Sequence, residues 1–161
     1  MTTGSHIGKQ VFFSPALPAT NDAAGFEALS WVKVEGFQGG VQFGFDHADI
    51  DVPDLGSGLT PRTKGMGTGA ASTLTFRKVA SDTAGQGGLK TLADGAGTVA
   101  SVKIGRGSGA AGALETGDPV EYAQGYFKSY TKMEASGTTH EGFSVVFQQN
   151  APDVEATQPA P

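Results

Sequence analysis

Acidic side chains are concentrated in the stretch from residue 45 to residue 69, where a histidine accompanies them. The carboxylates are Asp46, Asp49, Asp51 and Asp54, and the histidine is His47. Oxygen ligands at this density could bind a divalent cation. A calcium loop, however, needs alternating ligands, a central glycine and a distal glutamate, and this spacing does not supply them. We therefore interpret the stretch as a solvated acidic loop, and we expect neither a metal nor another cofactor.

A second chemical pattern is the glycine motif at residues 107–112, which matches Gly-x-Gly-x-x-Gly. In dinucleotide-binding proteins this motif opens a crossover helix. Here the next residues read Ala-Leu-Glu-Thr-Gly-Asp-Pro, which cannot continue as such a helix. We interpret the motif as a flexible loop.

Histidines and aromatic residues give no catalytic or stacking pattern. His6, His47 and His140 have no serine or aspartate partner at a motif spacing. Tyr122, Tyr126, Phe127 and Tyr130 could form a platform for a sugar or a base. On a strand of alternating period, half of them are more simply core residues. The sequence therefore predicts no enzyme.

Composition limits the class of protein. The 161 residues fit one domain and contain no cysteine, which excludes disulfides and thiolate metal sites. The net charge of −5 without a basic cluster disfavours stable nucleic-acid binding. The amino terminus lacks the pattern of a secretory signal, and no apolar run reaches the length of a spanning helix. We expect a protein made in the cytoplasm and not inserted into a membrane.

Short alternating segments indicate strands. We predict strands in the ranges 7–13, 71–79, 98–104 and 141–147, a hairpin over 30–45 that turns at residues 38–40, and a strand pair or one bent strand over 120–133. Inward positions are Val32, Val34, Val41, Phe43, Phe45, Leu74, Phe76, Phe143, Val145 and Phe147. The fold class that follows is mainly β, an antiparallel β-sandwich or barrel with one flanking α-helix.

The lone predicted helix begins at Asp82 as N-cap and ends at Gly95, with Leu89 and Leu92 packing on the sheet. Residues 18–25 are predicted as a loop. We place one domain at residues 1–148. The tail 149–161 is rich in proline and poor in apolar residues, so we expect a flexible arm or one ordered by assembly.

The acidic stretch itself must be an excursion from the sheet, because its prolines and glycines do not suit a central strand. We expect a long loop or an extended β-hairpin over residues 46–66. Its apolar residues have no stripe of their own, so we expect them to contact a neighbouring subunit. The predicted interface residues are Asp49, Ile50, Asp51, Val52, Pro53, Leu55, Leu59, Pro61, Arg62 and Met66.

Several of these features together resemble a known family. They are the strand with Trp31, the acidic run at 49–58, Lys-Gly-Met-Gly at 64–67, and a helix that opens Asp82, Gln86, Leu89. This order resembles the tail tube (major tail) proteins of long-tailed bacteriophages over roughly residues 30–147. The sequence departs from that family by Asp-Val-Pro-Asp in place of a threonine-rich run, and by a more glycine-rich link at 105–117.

The resemblance implies a structural virion protein that assembles into stacked hexameric rings, the tail tube through which the genome is delivered. Its partners would be further copies of itself, a tape measure protein, a tail terminator and tail-tip or baseplate proteins, with transient passage of double-stranded DNA. It would reside in the virion tail, and in the host cytoplasm before assembly. A wall that does not bind DNA should be acidic or neutral, and our lumen candidates are Glu115, Asp118 and Glu121, with Asp46 as a weaker choice.

Two other classes of protein remain as alternatives for a β-sandwich of this kind. A capsid decoration protein or another virion β-sandwich is the main alternative. A secreted carbohydrate-binding module is the second, and it is disfavoured because the sequence lacks a signal segment and an evident aromatic platform.

Overall fold

The computed structural model describes residues 8–161 and is built mainly of β-strands. The strands are β1 (Lys9–Ser14), β2 (Val32–Val34), β3 (Phe37–Gly39), β4 (Phe45–Asp51), β5 (Arg62–Gly69), β6 (Ala71–Arg77), β7 (Ala100–Arg106), β8 (Pro119–Met133), β9 (Gly142–Gln149) and β10 (Val154–Thr157). The helices are α1 (Ala23–Glu27) and α2 (Gly85–Asp94), with a 3₁₀ turn at Ala110–Gly112. Across residues 8–161, no helix is both long and apolar enough to cross a membrane.

Two antiparallel sheets contain all of these strands. The large sheet has the order β2-β1-β7-β8-β9-β6-β3, and β10 also pairs with β8. The small sheet is the pair β4-β5. Every pairing is antiparallel. The predicted fold class, mainly β and antiparallel with a flanking helix, is confirmed.

The large sheet curls until its two edges meet. Strands β2 and β3 stand at opposite ends of the strand order, yet only Glu35 and Gly36 separate them in the chain. Because the three steps from Val34 to Phe37 span at most about 11 Å, the end of β2 and the start of β3 must lie close together. The sheet is therefore a barrel-like sandwich around one core.

The predicted hairpin over residues 30–45 is wrong. Strand β2 pairs with β1, whereas β3 pairs with β6. Residues 39 and 40 do not turn the chain back, because Gly39 is itself paired with Thr75. A Cβ on Gly40 would lie 1.8 Å from the Thr73 carbonyl oxygen, so glycine is needed here for a close backbone approach. Alternating residues identify a strand but not its partner, which explains the error.

Strand β8 is one long bent strand, the second of the two readings that the sequence allowed. Its first half pairs with β7 up to Gly125, and its second half pairs with β9 from Gly125 to Met133. A register shift between Phe127 and Ser129 marks the bend, as a β-bulge does. The bent strand thereby joins the two halves of the sandwich.

Most buried residues form one core inside the curled sheet. The predicted inward residues Leu74, Phe76, Phe143, Val145 and Phe147 are all buried in it. Val41 and Phe43 pack against this core from its edge, whereas Phe45 is half-buried at the base of β4.

A second, smaller cluster lies on the opposite face of β8 and contains Phe26, Val120 and Tyr122. The ring of Phe26 stacks on that of Tyr122 at 5.1 Å. Phe26 belongs to α1, a helix that the sequence analysis missed when it predicted a loop over 18–25. The Asp22 carboxylate accepts the Gly25 N–H at 2.8 Å and so starts this short helix. A helix of five residues has too little periodicity to be recognised from sequence.

Part of the carboxyl segment, expected to be an arm, packs on the large sheet. Residues Val154–Thr157 form β10 on β8, with Glu155 opposite Glu121. Val154 and Ala156 pack against the Tyr122 cluster. The boundary at residue 148 stays a prediction, while the structure has Val154–Thr157 paired with the large sheet. The composition of the tail cannot build a core alone, but it can cover a cluster that other elements have already built.

Helix α2 packs on the sheet through Leu89, which is fully buried, and Leu92, which packs against the core. The helix starts at Gly85 and its N-cap is Ala84, two residues later than the predicted N-cap Asp82. Gly95 follows its last residue and donates its N–H to the Thr91 carbonyl oxygen.

Candidate functional site

The acidic stretch forms a β-hairpin, made of β4, β5 and the tip at residues 52–61, that projects from the body of the domain. Every residue from 48 to 64 is exposed. Five apolar side chains of the hairpin are also exposed: Ile50 by 49%, Val52 by 49%, Leu55 by 98%, Leu59 by 68% and Met66 by 87%. Within residues 8–161, the only other exposed large apolar side chains are Leu17, Val99 and Tyr126, and each is less exposed than these five. The hairpin therefore presents an apolar surface that its own subunit does not cover.

The carboxylates of the hairpin make ion pairs and hydrogen bonds within it. Arg62 on β5 lies 3.1 Å from Asp51 and 3.8 Å from Asp49 on β4. At the tip, Asp54 pairs with Leu59, and its carboxylate accepts the Gly56 N–H at 2.9 Å. Hydrogen bonds from the Ser57 side chain and from the Gly56 backbone lower the pKa of Asp54. The described part of the chain contains no group of three or more potential metal ligands, here or elsewhere.

The base of the hairpin is stiffened by aromatic packing. The rings of Phe45 and His47 meet edge to face at 5.3 Å. Both rings lie over Gly67, where a Cβ would be 2.0 Å from the Phe45 ring and 3.0 Å from the His47 Nε2 atom. The second glycine of the Lys-Gly-Met-Gly run, Gly67, is thus required because side chains of the partner strand occupy the space that a Cβ would need.

Gln149 fixes the hairpin to the large sheet. Its side chain is 1% exposed. Its Oε1 atom accepts the Gly44 N–H at 3.1 Å, just before β4, and its Nε2 atom donates to the Ala151 carbonyl oxygen at 2.7 Å. The backbone approach is close, because a Cβ on Gly69 would lie 2.1 Å from the Gln149 carbonyl oxygen. One buried amide therefore connects the hairpin base with the carboxyl segment. Sequence reasoning missed it, since an isolated glutamine before a tail carries no recognisable signal.

A second buried glutamine clasps the place where the two edges of the large sheet meet. The Nε2 atom of Gln86 donates to the carbonyl oxygens of Glu35 and Arg77, each at 2.8 Å. Its Oε1 atom accepts the Val79 N–H at 3.0 Å. The neighbouring Asp82 carboxylate accepts the Glu35 N–H at 2.9 Å. We name Asp82 and Gln86 the clasp.

The clasp explains why Asp82 and Gln86 stand together at the start of α2. Asp82 also accepts the Gly85 N–H at 3.0 Å, so one carboxylate binds both the helix start and the β2-β3 link. A Cβ on Gly85 would lie 2.4 Å from both Asp82 Oδ2 and the Lys33 carbonyl oxygen. Gly36 has φ +76°, and a Cβ there would lie 2.3 Å from the Arg77 carbonyl oxygen. Both glycines are therefore needed for the contact.

The four lumen candidates lie in different environments. Glu115 and Asp46 are exposed, whereas Asp118 is buried and accepts the N–H groups of Glu115 at 2.8 Å and Ser108 at 2.9 Å. Hydrogen bonds from the Glu115 backbone and then from Ser108 lower the pKa of Asp118. Its carboxylate thus orders the glycine-rich loop and does not face solvent freely, which weakens it as a candidate.

Glu121 is half-buried on β8. Burial raises the pKa of Glu121, and the nearby carboxylates of Glu155 and Asp153 add to that rise, while Lys9 opposes it. That these acidic residues line a channel stays a prediction.

The other candidate patterns do not become sites. Tyr122 and Phe127 are buried and Tyr130 stacks on Phe143, so only Tyr126 of the four aromatic residues is exposed. The glycine motif runs into the 3₁₀ turn and is followed by no crossover helix. His47 packs on Phe45, and the Nε2 atom of His140 lies 2.8 Å from the Gln38 amide. His6 lies outside the described residues.

Comparison with known proteins gives the fold but no close relative. No protein-family profile and no curated protein matches this sequence. Among solved structures, the chain is similar to one in the anti-feeding prophage (AFP) baseplate determined with 6-fold symmetry, with TM-score 0.63, 8% identity, and 99% and 97% of the two chains covered.

Two further structures agree. The SPP1 tail tube matches with TM-score 0.59 and 12% identity over 97% of this chain and 80% of that one. The sheath/tube terminator of the extracellular contractile injection system PVC matches with TM-score 0.54 and 10% identity over 92% and 93%. The sequence resemblance and the fold thus point the same way, and the chain is a tail-tube-like protein in its fold.

Proposed function

We propose that this chain is a structural subunit of a tail tube, and that it assembles into stacked hexameric rings that form a conduit for genome delivery. The observation that carries the proposal is the projecting hairpin, whose five apolar side chains are exposed in a domain with the tail tube fold. An apolar surface that its own subunit leaves open marks an interaction site. The subunit would act through assembly and not through catalysis.

Partners and location follow from the same proposal. Similar chains occur in structures of a tube, a baseplate and a tube terminator. We propose that this chain meets a tape measure protein, a terminator and tail-tip or baseplate proteins in the virion tail. The excess of acidic over basic side chains, 16 against 11, suits a wall along which DNA passes without stable binding.

The hairpin tip supplies a direct test. Leu55 is 98% exposed, so Leu55→Asp should leave the fold intact. Full burial of a leucine stabilises a contact by about 1.5–3 kcal/mol, which corresponds to about 10- to 150-fold in association. Thr60→Asp adds the same charge at an exposed polar position of the same tip and is the matched control.

The assay is electron microscopy together with sedimentation of the purified protein. We expect rings or tubes from the wild type and from Thr60→Asp, and dispersed subunits from Leu55→Asp and from a variant with a Gly-Ser link in place of residues 52–61. Normal tubes from the last variant would contradict the role of the hairpin. Wild-type protein that stays monomeric or trimeric at high concentration would contradict the tube and favour a capsid decoration protein.

A further inference from the structure

A second exposed apolar surface lies away from the hairpin tip, at the start of β7. Its members are Leu17, Val99 and Tyr126, exposed by 42%, 42% and 37%. Ala100 pairs with Gly125, so Val99 and Tyr126 are the next residues along the two neighbouring strands. The Ser101 hydroxyl on β7 donates to the Ala16 carbonyl oxygen at 2.7 Å, so the residue before Leu17 lies beside β7. We name these three residues the receiving patch.

A groove continues from the receiving patch along β8. It has a volume of about 400 Å³ and is lined by Ala93, Gly95, Gly97, Thr98, Tyr126, Phe127 and Lys128. Strand β7 pairs with β8 only up to Gly125, and among residues 8–161 no strand pairs with β8 beyond that point on this side. The turn after α2 contributes mainly small residues. The groove is therefore open and has an apolar floor beside one lysine.

The hairpin tip and this groove match in chemistry. Leu55 is the most exposed large apolar side chain in the described part of the chain. Its neighbour Asp54 forms no ion pair within residues 8–161, and neither does Lys128, which is exposed at the groove. Each surface therefore carries apolar groups next to one uncompensated charge, and the two charges have opposite signs.

The match must be made between copies. A tip whose leucine is 98% exposed does not occupy its own groove. The distance from Phe45 to the tip is about ten residues of strand, or about 30 Å, whereas a domain of this length has a radius of gyration of about 15 Å. The tip therefore reaches well beyond its own body.

We propose that the receiving patch and its groove bind the hairpin tip of a second copy of this chain, with Leu55 against Val99 and Tyr126 and with Asp54 facing Lys128. This rests on the proposed function, because it names the surface on the neighbour that the hairpin contacts. It also explains why the large exposed apolar side chains of residues 8–161 fall into just these two groups.

Cysteine crosslinking tests the pairing cleanly, because the chain has no cysteine of its own. Leu55→Cys protein is mixed with Val99→Cys protein under mild oxidation, and heterodimers are quantified on denaturing gels. The control mixes Leu55→Cys with Thr116→Cys, an exposed residue in the glycine-rich loop. We expect at least tenfold more heterodimer with Val99→Cys. Equal or lower yield than the control overturns the proposal, even if tubes form. A specific crosslink in protein that forms no tube would instead retain the contact and contradict the tube.

A charge exchange tests the polar half of the contact. Lys128→Glu alone should lower the rate of the Leu55–Val99 crosslink several-fold. Combining it with Asp54→Lys should restore the rate to within about twofold. Absence of any restoration overturns the Asp54–Lys128 pairing.

Discussion

Gln86, one of the two residues of the clasp, gives the sharpest test of how this fold closes. Its amide makes three hydrogen bonds, to the backbone of Glu35, Arg77 and Val79. Its side chain is 8% exposed, so water does not readily replace these bonds. The change to examine is Gln86→Leu, which keeps a comparable size and leaves all three backbone groups without this partner.

The expected loss follows from those bonds. Each contributes about 0.5–1.5 kcal/mol net, so the free energy of unfolding should fall by about 1.5–4.5 kcal/mol. For a chain of this size, that lowers Tm by about 5–15 °C. Gln42→Leu is the matched control, because Gln42 is an exposed glutamine that uses only its backbone to bind Ser72, and its side-chain amide makes no hydrogen bond within residues 8–161. A surface change of that kind should stay within about 0.5 kcal/mol.

The measurement is chemical denaturation followed by circular dichroism, with Tm from calorimetry. If Gln86→Leu loses less than about 1 kcal/mol more than Gln42→Leu, the clasp does not hold the sheet edges together. Gln86→Glu sharpens the result, since it keeps the shape but turns a carboxylate oxygen toward two carbonyl oxygens. That environment would raise the pKa of the new carboxyl in the folded state, so this variant should lose stability as the pH rises from about 4 toward 7.

Three further predictions concern other parts of the same domain. Leu89→Ala should cost about 2–5 kcal/mol because its side chain is fully buried, whereas Leu92→Ala should cost less, and equal thermal stability of wild type and both variants would show that α2 is not docked. Glu121→Gln should stabilise the protein at pH 7 but not at pH 3, because burial raises the pKa of Glu121 in the folded state. A carboxyl with a raised pKa destabilises the folded state only when the pH exceeds the pKa that the group has in the unfolded chain. A gain that is the same at both pH values would contradict the burial argument. Deleting residues 151–161 should expose Tyr122 and lower Tm, and an unchanged Tm would mean that β10 adds nothing to the isolated subunit.

The sequence predicts those elements whose pattern is local. The alternation in residues 71–79 and 141–147 identifies β6 and β9, and Leu74, Phe76, Phe143 and Val145 are buried as expected. The excursion at 46–66 is also recognisable, because prolines and glycines exclude it from the large sheet while its apolar residues have no helical or strict alternating stripe. The structure has it as a hairpin with those apolar residues exposed.

Pairing between distant segments is what local pattern does not encode. Residues 30–45 look like a hairpin, since two alternating runs flank a pair of glycines. The actual partners, β1 and β6, are chosen by the closure of the whole sheet and by contacts such as those of Gln86. The strand in the carboxyl segment, β10, was missed for a related reason. Its low hydrophobicity predicts disorder for an isolated chain, but β8 already offers it a strand edge and an apolar cluster.

The closure of the sheet also decides which contacts remain for assembly. An open sheet would need its neighbours to cover both edges. Here Asp82 and Gln86 hold the link between the edge strands β2 and β3 within one subunit, although no pairing joins β2 to β3 among the described residues. Strand β10 pairs only with β8 among the described residues, so one side of β10 is left without a strand partner, next to Asp153 and Glu155. A ring that used this edge would bring acidic side chains toward its neighbour, whereas the hairpin offers apolar groups at a reach of about 30 Å. Contact between copies should therefore depend more on the hairpin than on strand pairing.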